Sequence, residues 1–383
     1  MPASNTLEQR LRGRLGELET GGLLRSLQPP AGIDLSSNDY LGLSRHPLLQ
    51  RSMAEAIARE GCGSTGSRLL RGDRESFTRL ETRFAAFKAA GRSLYFSSGY
   101  LANLAVLTTF AEPGDIIYSD ERNHASLIDG IRLSRAERRI FPHTDVGALA
   151  RLLRQPTGPK FVVTESLFSM DGDFAPLAEY AELCRDTGAT LIVDEAHAVG
   201  IYGPRGSGLL EAAGVDAFIS IDTGGKALGV SGAFVSGAPW AIDYLIQRAR
   251  PFIFSTAPPP GVAAALEASL TVIESEPWRR VQLLARASHL RRRLAEAGIR
   301  IPHGESQIIP VILGDNRRAL QVAQSLQQQG FDARAIRPPS VAAGTARLRL
   351  SVHTDLAEAT LDGFVATLAG AMKESAACSA ACL

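Results

Sequence analysis

The fold is decided by residues 190–232, TLIVDEAHAVGIYGPRGSGLLEAAGVDAFISIDTGGKALGVSG. Two apolar runs in it, LIV and AFISI, each stop abruptly at polar residues. This pattern predicts two buried strands that deliver polar side chains at their carboxyl ends, where open α/β sheets bind ligands. The first strand brings Asp194 and His197 to this edge, and the second brings Thr223 and Lys226. Two glycines before Lys226 leave room for a flat ligand to approach the backbone.

These side chains form a chemically specific set. A lysine that bonds an aldehyde and an aspartate that pairs with a protonated pyridine nitrogen are what pyridoxal 5'-phosphate (PLP) requires of its protein. Taken singly, a solvated lysine after a turn and an Asp–His pair capping a helix would be the more ordinary interpretations. Together they predict a PLP site with Lys226 as the attachment point and Asp194 as the partner of the ring nitrogen.

Composition excludes several function classes. The 383 residues, 45% of them hydrophobic, are enough for one large and one smaller domain. The 41 basic and 40 acidic residues give a formal charge of +1, so neither nucleic acid nor an anionic membrane is expected as a partner. Four scattered cysteines, without a zinc-site spacing, predict no structural metal and a reducing cytoplasm. The charged, non-apolar start and the lack of a long apolar window lead us to expect no signal peptide and no membrane span.

Residues 61–66, GCGSTG, formally match the dinucleotide fingerprint GxGxxG. We reject a dinucleotide site, because the preceding segment has helical periodicity and the fingerprint should follow a strand. A better anion site is predicted at residues 98–103, SGYLAN, where a helix begins after a strand. The free N–H groups of such a helix start, at Gly99 and Tyr100, favour a phosphate, although an ordinary helix cap uses the same groups.

Strands alternate with helical segments over residues 93–237, which predicts a largely parallel sheet with helices on both faces. An amphipathic helical segment precedes it, and a smaller α+β unit follows it. We therefore expect an N-terminal segment at 1–37, a large domain at 38–280 and a small domain at 281–383. The last residues, 374–383, are of low complexity and are expected to fray.

Five motifs, together with the order of the segments between residues 7 and 352, resemble the α-oxoamine synthases, PLP enzymes of fold type I. The resemblance implies a mostly parallel seven-stranded sheet, a small C-terminal domain and a decarboxylative condensation of an amino acid with an acyl thioester. The motifs are SSNDYLGL (36–43), VVTESLFSMDGDFAPLAE (162–179), VDEAHAVGIYGPRGSG (193–208), TGGKALGVSGAF (223–234) and IRPPSVAAGTARLRLSV (336–352).

The resemblance also implies roles at the cofactor. His124, in NHASLIDG, would stack on the pyridine ring, and Ser169 would meet the phenolic edge. Asp194, His197 and Lys226 would carry the chemistry, with Thr223 beside them. Ser255 and Thr256 would reach the phosphate of a neighbouring subunit, which implies a homodimer.

On the substrate side, the resemblance assigns the amino-acid carboxylate to Arg349 and a distal acyl carboxylate to Arg25. Asn38 and Ser340 would also bind substrate. The best-matching members of the family use L-alanine and a pimeloyl thioester, carried on CoA or acyl carrier protein. Members that use glycine (2-amino-3-ketobutyrate CoA ligase and 5-aminolevulinate synthase), the serine-using palmitoyltransferase and a PLP-binding protein without turnover remain alternatives.

Two further patterns have simpler explanations. Asp171 and Asp173 flank Gly172 and are expected to form a turn rather than a metal site. Arg347 and Arg349 alternate on a strand, so Arg347 is expected to be half-exposed while Arg349 faces a cleft.

Overall fold

The computed structural model describes residues 6–155 and 158–381. These form two compact units. The larger unit comprises residues 38–169 and 173–283, and the smaller comprises residues 6–37, 170–172 and 284–381. The expected division into domains, with boundaries at residues 37 and 280, remains a prediction.

The described residues include helices of 4 to 24 residues. The helices are α1 Thr6–Thr20, α2 Pro47–Glu60, α3 Glu75–Phe87, α4 Gly99–Phe110, α5 Ala125–Ser134, α6 Val146–Leu153, α7 Leu177–Thr187, α8 Leu209–Ala213, α9 Pro239–Arg248, α10 Arg250–Ile253, α11 Pro260–Ser275, α12 Trp278–Glu296, α13 Asn316–Gln328 and α14 Glu358–Ala381. Within the described parts of the chain, no helix is both long enough and apolar enough to cross a membrane.

The strands belong to three sheets. They are β1 Ile33–Asp34, β2 Arg92–Phe96, β3 Ile116–Asp120, β4 Glu137–Phe141, β5 Lys160–Glu165, β6 Thr190–Asp194, β7 Ile219–Thr223, β8 Ala233–Gly237, β9 Ile308–Gly314, β10 Phe331–Asp332, β11 Ala335–Ile336 and β12 Ala346–Ser351.

The larger unit is built on a seven-stranded sheet with the order β2-β8-β7-β6-β5-β3-β4. The neighbours from β7 through β4 run parallel, and β8 is antiparallel to both β2 and β7. Apolar clusters cover the sheet on its two sides, one around Val106, Ile192 and Ile221 and the other around Tyr180 and Val193. The mostly parallel seven-stranded sheet is therefore confirmed. Cover on both faces explains why β5 and β6 contain the continuous apolar runs FVV and LIV.

The smaller unit contains the antiparallel sheet β11-β12-β9 and the short parallel pair β1-β10. The expectation that Arg347 is half-exposed is wrong, because both faces of β12 are covered and Arg347 is only 6% exposed. Its guanidinium donates to the Asp171 carboxylate at 2.7 Å. Alanine-rich α14 continues to Ala381, and the expected fraying of the last residues stays a prediction.

Candidate active site

The carboxylate of Asp194 lies at the end of β6, where the side chain is fixed by two donors. Asn103 donates from Nδ2 to Oδ2 at 2.7 Å, and the backbone N–H of Ala196 donates to Oδ1 at 2.8 Å. Asp194 is 6% exposed, and Asn103 is 2% exposed on helix α4. Because each oxygen accepts an N–H, the orientation of this carboxylate is fixed.

Lys226 follows β7 and contacts His197, which follows β6. The Lys226 Nζ atom lies 2.8 Å from Nε2 of His197, and the hydroxyl of Tyr40 lies 2.8 Å from Nδ1 of the same ring. Tyr40 in turn donates to Oδ1 of Asn38 at 3.0 Å. If the Lys226 amine donates to Nε2, the ring proton lies on Nδ1 and is donated to the Tyr40 hydroxyl, which in turn donates to Asn38.

His124 is the N-cap of α5, and its ring is tied to the Asp194 network. Its Nδ1 accepts the backbone N–H of Ser126 at 3.2 Å and lies 2.7 Å from the Ser126 hydroxyl. That hydroxyl also accepts the Nδ2 of Asn103 at 2.8 Å. Burial lowers the pKa of His124, and nearby Lys226 lowers it too, although the Asp194 carboxylate opposes them. The ring is therefore a neutral imidazole that can face a flat ligand.

An open helix start lies beside these residues. Helix α4 begins at Gly99, and the side chain of its N-cap Ser98 accepts the N–H of Leu101, at 3.3 Å. A Cβ atom placed on Gly99 would meet only the Thr223 hydroxyl, 3.9 Å away, so this approach is open. Tyr100 turns its phenol to Asp129 instead. The donors that face this opening are the backbone N–H groups at the start of α4. These N–H groups and the positive end of the helix dipole favour a bound phosphate.

The other residues predicted at the cofactor lie on loops of the larger unit. Ser169 is buried, and its N–H donates to Glu165 Oε2 at 3.2 Å. Ser255 is half-buried and Thr256 is exposed. The segment that carries them packs on the glycine-rich loop, GCGSTGSRLLRGD at residues 61–73, because the N–H of Ala257 donates to the Gly66 carbonyl at 2.9 Å.

Three of the predicted substrate residues belong to the smaller unit. Arg349 is 7% exposed on β12 and donates from Nη1 to the Ser351 hydroxyl at 2.8 Å. Arg25 is exposed and donates from Nη2 to the Pro338 carbonyl at 3.1 Å. Ser340 is exposed, and its N–H donates to the Arg337 carbonyl at 3.1 Å.

Sequence reasoning did not single out Asn103, Ser126, Tyr40 or Glu165, although all four contact predicted site residues. Asn103 alone carried a usable signal. It is a buried amide within the otherwise apolar helix segment LANLAVL, and such a side chain needs a polar partner.

The larger unit fits PLP. It offers an amine at Lys226, a fixed carboxylate at Asp194, a neutral imidazole at His124 and the open helix start at Gly99. In addition, Oδ1 of Asn103 is buried beside this set without a hydrogen-bond partner among the described residues. This donor set on this sheet defines a PLP-dependent enzyme of fold type I.

Comparison with known proteins gives the family. Residues 30–368 match the family described as Aminotransferase class I and II. The 8-amino-7-oxononanoate synthase of Anaeromyxobacter dehalogenans strain 2CP-1 is 45% identical, over 94% of this chain and 94% of that protein. The chain therefore belongs to the class I and II aminotransferase family and, within it, to the α-oxoamine synthases.

Solved structures of α-oxoamine synthases have the same fold as this chain. Serine palmitoyltransferase from S. paucimobilis, with a PLP–myriocin adduct bound, has a TM-score of 0.90 at 29% identity, covering 97% of this chain and 100% of that one. The 8-amino-7-oxononanoate synthase of Francisella tularensis has a TM-score of 0.78 at 28% identity, covering 90% and 98%.

Proposed function

We propose that this chain condenses L-alanine with a pimeloyl thioester to form 8-amino-7-oxononanoate, in biotin biosynthesis. A carbon–carbon bond forms between the α-carbon of alanine and the thioester carbonyl carbon, while the thiol and carbon dioxide leave. The observation that carries this proposal is the 45% identity, over 94% of both chains, to an 8-amino-7-oxononanoate synthase. The acyl carrier is CoA or acyl carrier protein.

The residues of the larger unit supply the groups that this reaction needs. When bound, PLP supplies an electron sink that makes the α-proton of an amino acid removable. Asp194 would hold the ring nitrogen in its protonated form, and His124 would lie against the ring. Lys226 takes the α-proton at Nζ, and His197, 2.8 Å away, orients that amine. Ser169 and Thr223 bind at the ring edge, and Gly99 and Tyr100 provide backbone donors for the phosphate.

We assign recognition of the substrates to Arg349, Arg25, Asn38 and Ser340. The guanidinium of Arg349 is suited to the amino-acid carboxylate by its two-pronged donor geometry. Arg25 would bind the distal carboxylate of the pimeloyl chain, because a guanidinium pairs with a carboxylate through charge-assisted hydrogen bonds.

Another α-oxoamine synthase activity is the second candidate, favoured by the TM-score of 0.90 to serine palmitoyltransferase. The 29% identity of that match is well below the 45% shared with the A. dehalogenans enzyme. 2-Amino-3-ketobutyrate CoA ligase and 5-aminolevulinate synthase are further alternatives. A PLP-binding protein without turnover is the least favoured, since Lys226, Asp194, His197 and His124 are all present.

A homodimer is part of the proposal, with Ser255 and Thr256 binding the phosphate of the neighbouring subunit. Exposed apolar side chains support it. Leu70 and Phe254, on the glycine-rich loop and near Thr256, are 83% and 71% exposed. A shared site makes dimerisation necessary for activity. We also place the protein in the cytoplasm, because Cys62 and Cys184 are free thiols.

A panel of amino acids and acyl thioesters tests the activity. The purified protein with PLP should turn over L-alanine with pimeloyl-CoA or pimeloyl carrier protein faster than glycine with acetyl- or succinyl-CoA, or serine with palmitoyl-CoA. Borohydride reduction followed by peptide mass spectrometry should place the cofactor on Lys226. Faster turnover of any competing pair would assign the chain to another member of the family.

A further inference from the structure

Glu165 ends strand β5 beside the Asp194 that ends β6. The two residues are paired in register on neighbouring parallel strands, so their side chains leave the sheet on the same side. Glu165 is 3% exposed and Asp194 is 6% exposed. Two buried carboxyl groups at adjacent positions do not both ionise readily, because each negative charge disfavours the other.

The hydrogen bonds of the two groups differ. Both oxygens of Asp194 accept N–H donors. Glu165 accepts the N–H of Ser169 at Oε2, at 3.2 Å, and the backbone N–H of His124 also donates to its carboxyl group. Its Oε1 is buried and has no partner within the described part of the chain. The charge is therefore better accommodated on Asp194 than on Glu165.

The charged groups that face Glu165 come from three neighbouring elements. Asp194 on β6 disfavours a charge on Glu165, and Lys226 after β7 favours one, as do the N–H groups of Ser169 and His124. Burial is the largest influence, and together these raise the pKa of Glu165 to about 8. The attraction of Lys226 is thus too weak to keep Glu165 ionised at neutral pH.

We propose that Glu165 is the protonated, neutral member of a carboxyl pair with Asp194, and that it is a positioning residue which leaves Asp194 as the anionic member. This inference rests on the proposed function only in that Asp194 pairs with the ring nitrogen of PLP. Glu165 fixes the backbones of Ser169 and His124 without adding a second negative charge. If Glu165 lost its proton, the added charge would favour the protonated form of Lys226 Nζ and leave less free amine to accept the α-proton of the substrate.

Infrared spectroscopy tests the protonation state without reference to substrate. The full-length protein with PLP bound is prepared with 13C-labelled glutamate, and difference spectra are taken against Glu165→Gln. The wild-type protein should show a carboxylic-acid carbonyl band at pH 6.5 that is absent from Glu165→Gln and fades as the pH rises through about 8. A difference spectrum without this band at pH 6.5 would overturn the proposal, whatever the substrate proves to be.

Kinetics distinguish a neutral positioning group from a required anion. Glu165→Ala should lower kcat/KM about ten- to hundredfold, because it removes the acceptor for Ser169 and His124. The neutral isostere Glu165→Gln should recover most of that loss at pH 7 and should move the alkaline limb of the pH profile upward. Glu182→Gln, on the exposed face of α7, is the matched control.

The proposal fails if Glu165→Gln is as impaired as Glu165→Ala while it still binds PLP and unfolds at the wild-type temperature. If Glu165→Ala does not fold, the infrared result and the pH profile of Glu165→Gln decide. If the proposed substrates were wrong, the infrared result and the kinetic comparison of the Glu165 variants would be unchanged. The error would appear only in the panel of amino acids and acyl thioesters.

Discussion

The Nζ atom of Lys226 lies 2.8 Å from Nε2 of His197, although the two residues are on different strand ends. The other ring nitrogen of His197 is 2.8 Å from the hydroxyl of Tyr40. The imidazole is therefore held from both sides, and its orientation sets the position of the amine. An amine that has to accept a proton from a bound substrate gains from being fixed in this way.

The first prediction removes the outer support of this histidine. Tyr40→Phe removes the hydroxyl that contacts Nδ1 of His197. Such a loss costs about 1–3 kcal/mol, so kcat/KM should fall about five- to 150-fold. PLP should still be fixed to the protein by borohydride. Tyr244→Phe, which alters a 40% exposed tyrosine, is the control. Wild-type kcat/KM in Tyr40→Phe would show that His197 does not need this contact.

The second prediction concerns a buried cation behind the site. Lys88 Nζ donates to Glu195 Oε2 at 2.7 Å and to Asp222 Oδ1 at 2.9 Å, and these carboxylates are 0% exposed. Glu195 and Asp222 are the chain neighbours of Asp194 and Thr223. Lys88→Met would leave two buried carboxylates without a cation, which costs about 3–5 kcal/mol.

Urea unfolding should therefore show a clearly lower midpoint for Lys88→Met, together with weaker binding of PLP. Lys373→Met removes an exposed lysine from α14 and is the control for the loss of charge alone. Equal midpoints for wild type and Lys88→Met would mean that the two carboxylates are satisfied without Lys88.

The fold and part of the site follow from local sequence. The β-branched run before Asp194 and the run before Thr223 predict buried strands, and the structure has them as β6 and β7. Their adjacency in one sheet follows from the repeated strand–helix order. The sequence pattern alone therefore predicts that Asp194, His197 and Lys226 lie at one edge of the sheet.

What the sequence did not reveal depends on partners far along the chain. Asn103 binds Asp194 from 91 residues away, and the pairing of Glu165 with Asp194 depends on strand register. Arg347 was expected to be half-exposed because alternation on a strand normally gives one solvent face. It is buried because Asp171, from a distant loop, supplies a carboxylate. Local patterns do not encode such pairings.

The third prediction is a pH dependence of stability. The ring of His143 contacts Asp120 Oδ1 at 2.9 Å and Asp173 Oδ2 at 2.6 Å. Burial alone would lower the pKa of His143, but these two carboxylates raise it to about 9 from the ordinary 6.5. Because the folded pKa lies above the unfolded one, the stabilisation is complete below about pH 6.5 and is lost as the pH rises through about 9.

Thermal unfolding measured from pH 6 to pH 9.5 checks this dependence. Wild-type Tm should fall more steeply between pH 6.5 and 9 than that of His143→Gln, which cannot gain a proton. His303→Gln, at an exposed histidine, should follow the wild-type curve. Parallel curves for wild type and His143→Gln would contradict a charged His143.

The last prediction concerns the acyl chain. Arg25 and Arg337 lie close enough that Arg25, together with the larger effect of burial, lowers the pKa of Arg337. Arg337 also donates to the carbonyl groups of Gly22 and Leu24, which fixes the turn before Arg25. Neither guanidinium has a carboxylate partner among the described residues, so an anion from the substrate is expected between them.

Arg25→Ala should therefore lower kcat/KM for pimeloyl thioester about ten- to hundredfold, corresponding to about 1.5–3 kcal/mol for a lost charge-assisted contact. An octanoyl thioester, which has no distal carboxylate, should be affected much less. Binding of L-alanine, followed by its spectral change at the cofactor, should be unaltered because Arg349 is assigned to that carboxylate. Arg10→Ala, on exposed α1, is the control. Equal losses of kcat/KM for the pimeloyl and octanoyl substrates would mean that Arg25 supports the fold of its segment and does not bind the distal carboxylate.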